Sequence, residues 1–244
     1  MPARSRLRYL SALALLACLF PTATQADGGQ VFGHSVRGRP IVVFENGRPP
    51  ARLKVLVVGA IHGDETAGMR IARRLIAAGP PARTKFLVVP TINPDGVAAG
   101  TRGNAHGVDL NRNFPYRWRP LAGSEYSGTG PFSEPETRAA YGLILREKPD
   151  LTIWFHQPFG LIDRPNGNPF AAQRFADLIG LPLVRLPGPY PGSASRWQTH
   201  EFPQSTAFVA ELPQTVSGPL IRRGTAAVRT LAADLASPAV LSIP

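Results

Sequence analysis

The chain of 244 residues contains a single cysteine, Cys18. One cysteine excludes an intramolecular disulfide framework, and it also excludes a zinc site built from several thiolates. A metal site would therefore need histidine and carboxylate ligands. The chain has 24 glycines and 26 prolines, about a fifth of its residues, which is below the range of low-complexity sequences. With 43% apolar residues, the length suits one well-buried domain, or at most two small ones.

Acidic residues are also scarce, with 16 Asp and Glu against 27 Lys and Arg and a net charge of +11. Such an excess is typical of proteins that meet nucleic acids, anionic surfaces or acidic substrates. The basic residues are mostly arginines and are scattered along the chain, and no basic run is interleaved with aromatic residues. This distribution argues against a nucleic-acid partner, and it leaves an acidic substrate or an anionic cell envelope as the explanation.

Residues 1–26 have the organisation of a targeting segment. Three arginines precede an apolar run over residues 9–20, and small residues near the end of the segment allow cleavage before Asp27. The apolar run is shorter than the roughly 20 residues that span a bilayer. We therefore expect a signal peptide, a periplasmic or secreted protein, and no stable membrane insertion after cleavage. Two alternatives are a buried or amphipathic first helix and a lipid anchor at Cys18.

Residues 27–244 contain no internal repeat, long linker or composition shift, so we expect a single domain. Short apolar runs alternate with segments of helical periodicity, which predicts an α/β sandwich whose mixed, largely parallel central sheet is flanked by helices. Near-continuous apolar runs fit strands that are buried on both faces. The predicted strands are residues 41–44, 55–61, 86–91, 151–156 and 208–212. The predicted helices are residues 66–78, 134–147, 170–179 and 219–235, and residues 160–170 are interpreted as a rim loop.

Three of the predicted strands lead into side chains that can do chemistry. The first is followed by His62 and, three residues later, by Glu65, with Gly63 between them to allow a sharp turn. Positions i and i+3 project to the same side of a turn or first helical turn, so the two side chains can meet one cation. The other two strands lead to His156 and Glu211. In α/β sheets of this kind, sites form beyond the carboxyl ends of the strands.

Two imidazoles and one carboxylate are the protein ligands of many hydrolytic zinc sites, with the fourth position left to water. A further carboxylate such as Glu211 is costly at the end of an apolar strand unless it is paired or functional. A base beside the attacking water is what amide hydrolysis requires. Structural alternatives are a hydrogen-bonded turn at His62, a satisfied histidine at His156 and a salt bridge from Glu211 to an arginine.

Two longer motifs make the pattern specific. Asn-Pro-Asp-Gly occupies residues 93–96, and Asp-Leu-Asn-Arg-Asn-Phe occupies residues 109–114. Together with the His-x-x-Glu motif and the strand-end His and Glu, in this order, they resemble the zinc metallocarboxypeptidase family. The loop over residues 102–112 and the sequence Gly-Pro-Phe-Ser-Glu-Pro-Glu-Thr at residues 130–137 are most similar to its murein peptide amidase branch. The resemblance covers roughly residues 55–213.

The resemblance implies a role for each matched residue. His62, Glu65 and His156 would bind one zinc ion, and Glu211 would act as the general base and return the proton to the leaving amine. Asp109 would accept a hydrogen bond from a zinc-bound imidazole and orient it.

Three other residues would contact the substrate, again by resemblance, and the roles of two more stay open. Arg102 would polarise the scissile carbonyl, while Asn111 and Arg112 would bind a terminal carboxylate, which suits a planar guanidinium. Tyr190 is either a substrate-contacting phenol or a turn residue stiffened by its neighbouring prolines. Arg196 could meet a second acidic group on the substrate, although exposure to solvent is the favoured interpretation.

The function implied is an exported zinc-dependent amidase or carboxypeptidase that hydrolyses peptidoglycan-derived peptides at the γ-D-glutamyl–diaminopimelate bond. Its substrate would be a small acidic muropeptide, it would not bind nucleic acid, and it would act as a monomer. The alternatives are a general metallocarboxypeptidase, a deacylase similar to succinylglutamate desuccinylase, and a non-catalytic binding module that keeps the fold.

Overall fold

A computed structural model describes residues 25–26, 28–164 and 169–237 of the chain. Most of the predicted signal peptide, including the alternative lipid-anchor site at Cys18, lies outside these residues. Across the described ranges, no helix combines the length and apolar character needed to cross a bilayer.

In the described part of the chain, nine strands form one sheet in the order β1-β2-β3-β5-β4-β6-β9-β7-β8. The strands are β1 (Gln25–Ala26), β2 (Gly29–His34), β3 (Pro40–Asn46), β4 (Leu53–Val58), β5 (Thr84–Val89), β6 (Leu151–His156), β7 (Phe159–Asp163), β8 (Leu183–Val184) and β9 (Thr206–Pro213). The four central strands β5, β4, β6 and β9 are mutually parallel, whereas β1, β2 and β3 form an antiparallel margin on one side. On the other side, β7 runs antiparallel to β9. The mixed sheet with a parallel centre is therefore confirmed.

Helices cover both faces of this sheet. They are α1 (Ala67–Ala78), α2 (Pro94–Ala99), α3 (Pro135–Glu147), α4 (Phe170–Ile179), α5 (Ala194–Glu201) and α6 (Gly218–Ala236). Val55 and Val57 of β4 pack in a core with α1, α4 and α6. The alternate residues Leu56 and Val58 pack in a second core with α3 and α5. This alternation explains the continuous apolar run in β4, because each face of a central strand is buried by a different helix layer.

Two segments differ from the sequence prediction. Residues 159–163 form β7, a strand paired with β9, so interpreting residues 160–170 as a rim loop is wrong at both ends. At the other end, α4 begins at Phe170. Residues 165–168 lie outside the described part of the chain. Residues 194–197, where the sequence predicts no regular element, begin the helix α5. Pro and Gly lie near both segments and are typical of loops, but pairing and packing with distant parts of the chain decide their structure.

Candidate active site

The carboxyl ends of three neighbouring parallel strands meet at one edge of the sheet. His62 and Glu65 lie in the turn between β4 and α1, and His156 is the last residue of β6. On the next strand, β9, Glu211 is the register partner of His156. The turn after β4 depends on Gly63, since a Cβ at this residue would lie 1.9 Å from the carbonyl carbon of Gly96. A residue with any side chain would therefore displace the segment that carries His62 and Glu65.

His62, Glu65 and His156 form a compact, buried group. Each offers one donor atom to a common point, and the three atoms lie within 4.8 Å of one another. Nδ1 of His156 lies 3.0 Å from Oε2 of Glu65, and Nδ1 of His62 lies 2.9 Å from Oε1. Burial alone would raise the pKa of Glu65, but the hydrogen bonds and charges of His156 and His62 hold this pKa far below its ordinary value. The carboxylate is therefore ionised and able to act as a ligand.

The donor set fits a divalent metal. Nε2 of His62 lies 2.9 Å from Oδ1 of Asp109, a carboxylate that can only accept, so this ring nitrogen carries the proton. The other nitrogen, Nδ1, is buried and lies beside the Glu65 carboxylate, so it is the nitrogen of His62 that would bind a metal together with Glu65. Nitrogen and carboxylate donors of this kind are typical of zinc sites, and a carboxylate behind the imidazole orients the ligand.

Asp109 also connects this group to the neighbouring loop. Its Oδ2 accepts two hydrogen bonds from Arg102, at 3.0 Å from Nε and 2.9 Å from Nη2. The third guanidinium nitrogen of Arg102 lies 3.1 Å from Oε1 of Glu65. Although burial would raise the pKa of Asp109, the His62 hydrogen bond and the charges of His62 and Arg102 hold it well below its usual range. Asp109 thus fixes both the imidazole of His62 and the guanidinium of Arg102 beside Glu65.

The short 3-10 turn Leu110–Arg112 follows directly and presents two more of the predicted residues. Oδ1 of Asn111 accepts a hydrogen bond of 2.9 Å from the backbone of Ala194, at the start of α5. The guanidinium of Arg112 donates to a carboxylate oxygen of Glu125 and lies 5.4 Å from the ring centre of Tyr190. Arg112 is buried, so water screens its charge only weakly, and the charge acts on groups inside the cleft.

Glu211 faces the same space from β9. Burial, together with the negative charge of Glu65, raises the pKa of its carboxyl group, whereas His156 and His62 act in the opposite direction. Its buried Oε2 makes no hydrogen bond to any residue that the structure describes. A carboxyl group with a raised pKa and an unpaired oxygen suits a group that accepts and returns protons. The salt bridge to an arginine, the structural alternative, is not formed in the described part of the molecule.

The predicted residues share one cleft of about 340 Å³, apart from Asp109, which is fully buried behind His62. The residues of the prediction that line the cleft are His62, Glu65, Arg102, Asn111, Arg112, His156, Tyr190 and Glu211. Arg196 lines it as well, with its side chain 22% exposed, rather than extending into solvent. Sequence reasoning missed Glu125 and Asp163, which belong to no motif. Burial raises the pKa of Asp163, against a hydrogen bond from Leu186 and the charge of Arg196.

A buried His-Glu-His group facing a carboxylate and two arginines at the carboxyl edge of this sheet defines a metallohydrolase site. The family model described as zinc carboxypeptidase matches residues 13–165, and the chain belongs to this family. The protein is thus a hydrolase of the metallopeptidase class.

Among the members of this family, the chain is similar to several murein peptide amidases. Murein peptide amidase A of Escherichia coli strain K12 is 34% identical over 186 residues, which cover 70% of this chain and 76% of the relative. The enzyme of the same name from Vibrio campbellii is 30% identical over 200 residues, covering 75% and 78%. The crystal structure of the murein-tripeptide amidase of Escherichia coli O157 superposes with a TM-score of 0.68 at 30% identity, covering 86% of this chain and 93% of that one.

Proposed function

We propose that this protein is an exported zinc-dependent amidase that hydrolyses peptidoglycan-derived peptides at the γ-D-glutamyl–diaminopimelate bond. One observation carries the proposal: a buried His-Glu-His group, the carboxyl group of Glu211 and three arginines line a single cleft. The similarity to murein peptide amidases supports the class of substrate.

His62, Glu65 and His156 would hold the zinc ion, which when bound supplies an activated water and polarises the scissile carbonyl. Glu211 accepts a proton from the attacking water at its unpaired oxygen and then returns it to the leaving amine. The raised pKa of Glu211 favours this return, because a proton held too weakly would be lost to solvent.

Two arginines of this chain stabilise negative charge. Arg102, held by Asp109 and Glu65, stabilises the oxygen that becomes anionic as the carbonyl is attacked. Arg112, together with Asn111, binds the terminal carboxylate of the substrate. In the structure Arg112 is already paired with Glu125, so the substrate carboxylate competes with this side chain. A peptide rich in carboxylates fits a cleft with this distribution of positive charge.

Export completes the proposal. Removal of residues 1–26 would take away three arginines and no acidic residue, leaving 24 basic against 16 acidic residues and a net charge of +8. This charge would keep the protein close to an anionic cell wall. The N-terminal residue of the mature protein, determined by mass spectrometry after cell fractionation, tests the expected cleavage before Asp27 and distinguishes it from a lipid anchor at Cys18.

Mass spectrometry of digests by the purified protein tests the reaction itself. Purified muropeptides, C-terminally varied peptides and N-acyl amino acids serve as parallel substrates. We expect release of diaminopimelate-containing products from muropeptides. Release of C-terminal residues from ordinary peptides alone would indicate a general carboxypeptidase, and turnover of only N-acyl amino acids would indicate a deacylase. Either result would contradict the proposed substrate.

A further inference from the structure

Besides the residues that have a role in the proposed reaction, the cleft contains one acidic and one basic side chain that lie next to each other. Asp163 is the last residue of β7, and Arg196 lies in the first turn of α5. Both line the same cleft as Arg112 and Glu211. Their side chains are 13% and 22% exposed, so the two charges are largely withdrawn from bulk water but still open to the cleft.

The two charges are held side by side without a direct hydrogen bond. Nη2 of Arg196 lies 3.9 Å from Oδ2 of Asp163, which exceeds hydrogen-bond distance. Other groups hold each side chain in place. Oδ1 of Asp163 accepts a hydrogen bond of 3.0 Å from the backbone of Leu186. Arg196 donates to the carbonyl oxygen of Gly188 at 3.2 Å, and its guanidinium lies 4.8 Å from the ring centre of Tyr190.

An ion pair elsewhere in the molecule shows the contrast. Nε of Arg174 on α4 donates directly to a carboxylate oxygen of Asp234 on α6, at 2.9 Å. That pair is 42% and 33% exposed and serves as a conventional surface salt bridge. In the cleft, by contrast, both members of the pair keep bonding capacity that a ligand can use.

The position of the pair relates it to the proposed carboxylate-binding group. The guanidinium groups of Arg112 and Arg196 both contact the ring of Tyr190, at 5.4 and 4.8 Å from its centre. Because both arginines contact the same ring, Arg196 lies near the residue proposed to bind the substrate's terminal carboxylate. When the terminal carboxylate binds Arg112, a group at the far end of the same residue's side chain would reach Arg196.

We propose that Asp163 and Arg196 form a subsite for an ammonium–carboxylate centre at the far end of the terminal side chain, with Asp163 receiving the ammonium group and Arg196 the carboxylate. This inference rests on the proposed function. Diaminopimelate carries such a centre at the end of its side chain, whereas lysine carries only the ammonium group and 2-aminopimelate only the carboxylate. A side chain with one of the two charges leaves one member of the pair desolvated and unsatisfied, which is costly.

The test uses three γ-D-glutamyl peptides that differ only in the terminal residue: meso-diaminopimelate, L-lysine or 2-aminopimelate. For the unmodified protein we expect kcat/KM for diaminopimelate to exceed the other two values by roughly ten- to hundredfold, the effect of losing one charge-assisted hydrogen bond. Arg196→Gln should abolish the discrimination against lysine, and Asp163→Asn should abolish the discrimination against 2-aminopimelate. The amide oxygen introduced by Asp163→Asn can still accept the hydrogen bond from Leu186, so the local backbone is retained.

Arg174→Gln and Asp234→Asn are matched controls, because they remove the same charges from a pair outside the cleft. Both should keep the substrate ratios of the unmodified protein. Equal kcat/KM values for all three peptides, or unchanged ratios in both cleft variants, would overturn the subsite while leaving the amidase activity established. Failure to cleave any γ-D-glutamyl peptide would overturn the proposed function, and the subsite with it.

Discussion

His156 and Glu211 are register partners on the parallel strands β6 and β9. Partners on neighbouring parallel strands direct their side chains to the same face of the sheet, so a proposed metal ligand and the proposed base face one space. β4 lies on the other side of β6, and the turn that follows it supplies His62 and Glu65. Three separated segments of chain thus meet through the hydrogen-bond register of one sheet.

Glu211→Gln tests the assignment of the base. Glutamine has nearly the same shape but cannot accept a proton, so we expect kcat to fall by about 10²–10⁴-fold. Zinc content, measured by elemental analysis, should stay at the level of the unmodified protein because the three ligands remain. A near-normal rate would show that Glu211 is not the base, whereas loss of zinc would show that Glu211 helps to hold the metal.

His62→Ala tests the assignment of His62 as a zinc ligand. This substitution removes one of three protein donors, so the purified variant should lose most of its zinc and its activity. His34→Ala is the matched control, because His34 is an exposed histidine on β2 away from the cleft. Elemental analysis of both variants checks the prediction. Full zinc content in His62→Ala would contradict the ligand assignment.

Glu125→Gln tests the competition at Arg112. Glu125 accepts a hydrogen bond from Arg112 and is about half exposed, so the pair should contribute modestly in the absence of substrate. Without the charge of Glu125, the substrate carboxylate should bind Arg112 more readily, lowering KM by about two- to fivefold with little change in kcat. Steady-state kinetics on the muropeptide measures both constants. An increased KM would show instead that Glu125 organises Arg112 for binding.

Asp95→Asn tests a buried carboxylate outside the cleft. Asp95 accepts hydrogen bonds from the backbone of Arg37 at 2.9 Å and from the guanidinium of Arg39 at 2.6 Å. Burial would raise the pKa of Asp95, but these two partners hold it below its ordinary value. A carboxyl group with a lowered folded-state pKa stabilises the fold above its unfolded pKa, near 3.9, and this contribution disappears as the pH falls through the folded-state value.

We therefore expect Asp95→Asn to lower the free energy of unfolding by about 1–3 kcal/mol at pH 7. The difference from the unmodified protein should shrink as the pH falls below about 4. Urea unfolding of both proteins between pH 7 and pH 3 measures this difference. A difference that stays constant over the whole range would mean that the charge of Asp95 contributes nothing.

The regular elements were largely predictable from the sequence because their patterns are local. The predicted bounds of β6 and α4 agree with the structure, and the strand predicted over residues 55–61 overlaps β4, which begins two residues earlier and ends at Val58. β7 was missed because Gly160 and the proline before Phe159 indicate a loop, whereas its pairing with β9 depends on a segment 48 to 54 residues further along the chain. Strand pairing over such a separation leaves no local signal.

Local order along the chain was sufficient to propose the residue types of the site, because His62, Glu65, His156 and Glu211 each follow an apolar run, and the Asp109 motif has a characteristic composition. The strand order decided that these residues share one cleft. It also brought in Glu125 and Asp163, whose flanking sequence is unremarkable for a loop and a strand end. Charges that act through space depend on distances between remote segments, and only the folded chain sets those distances.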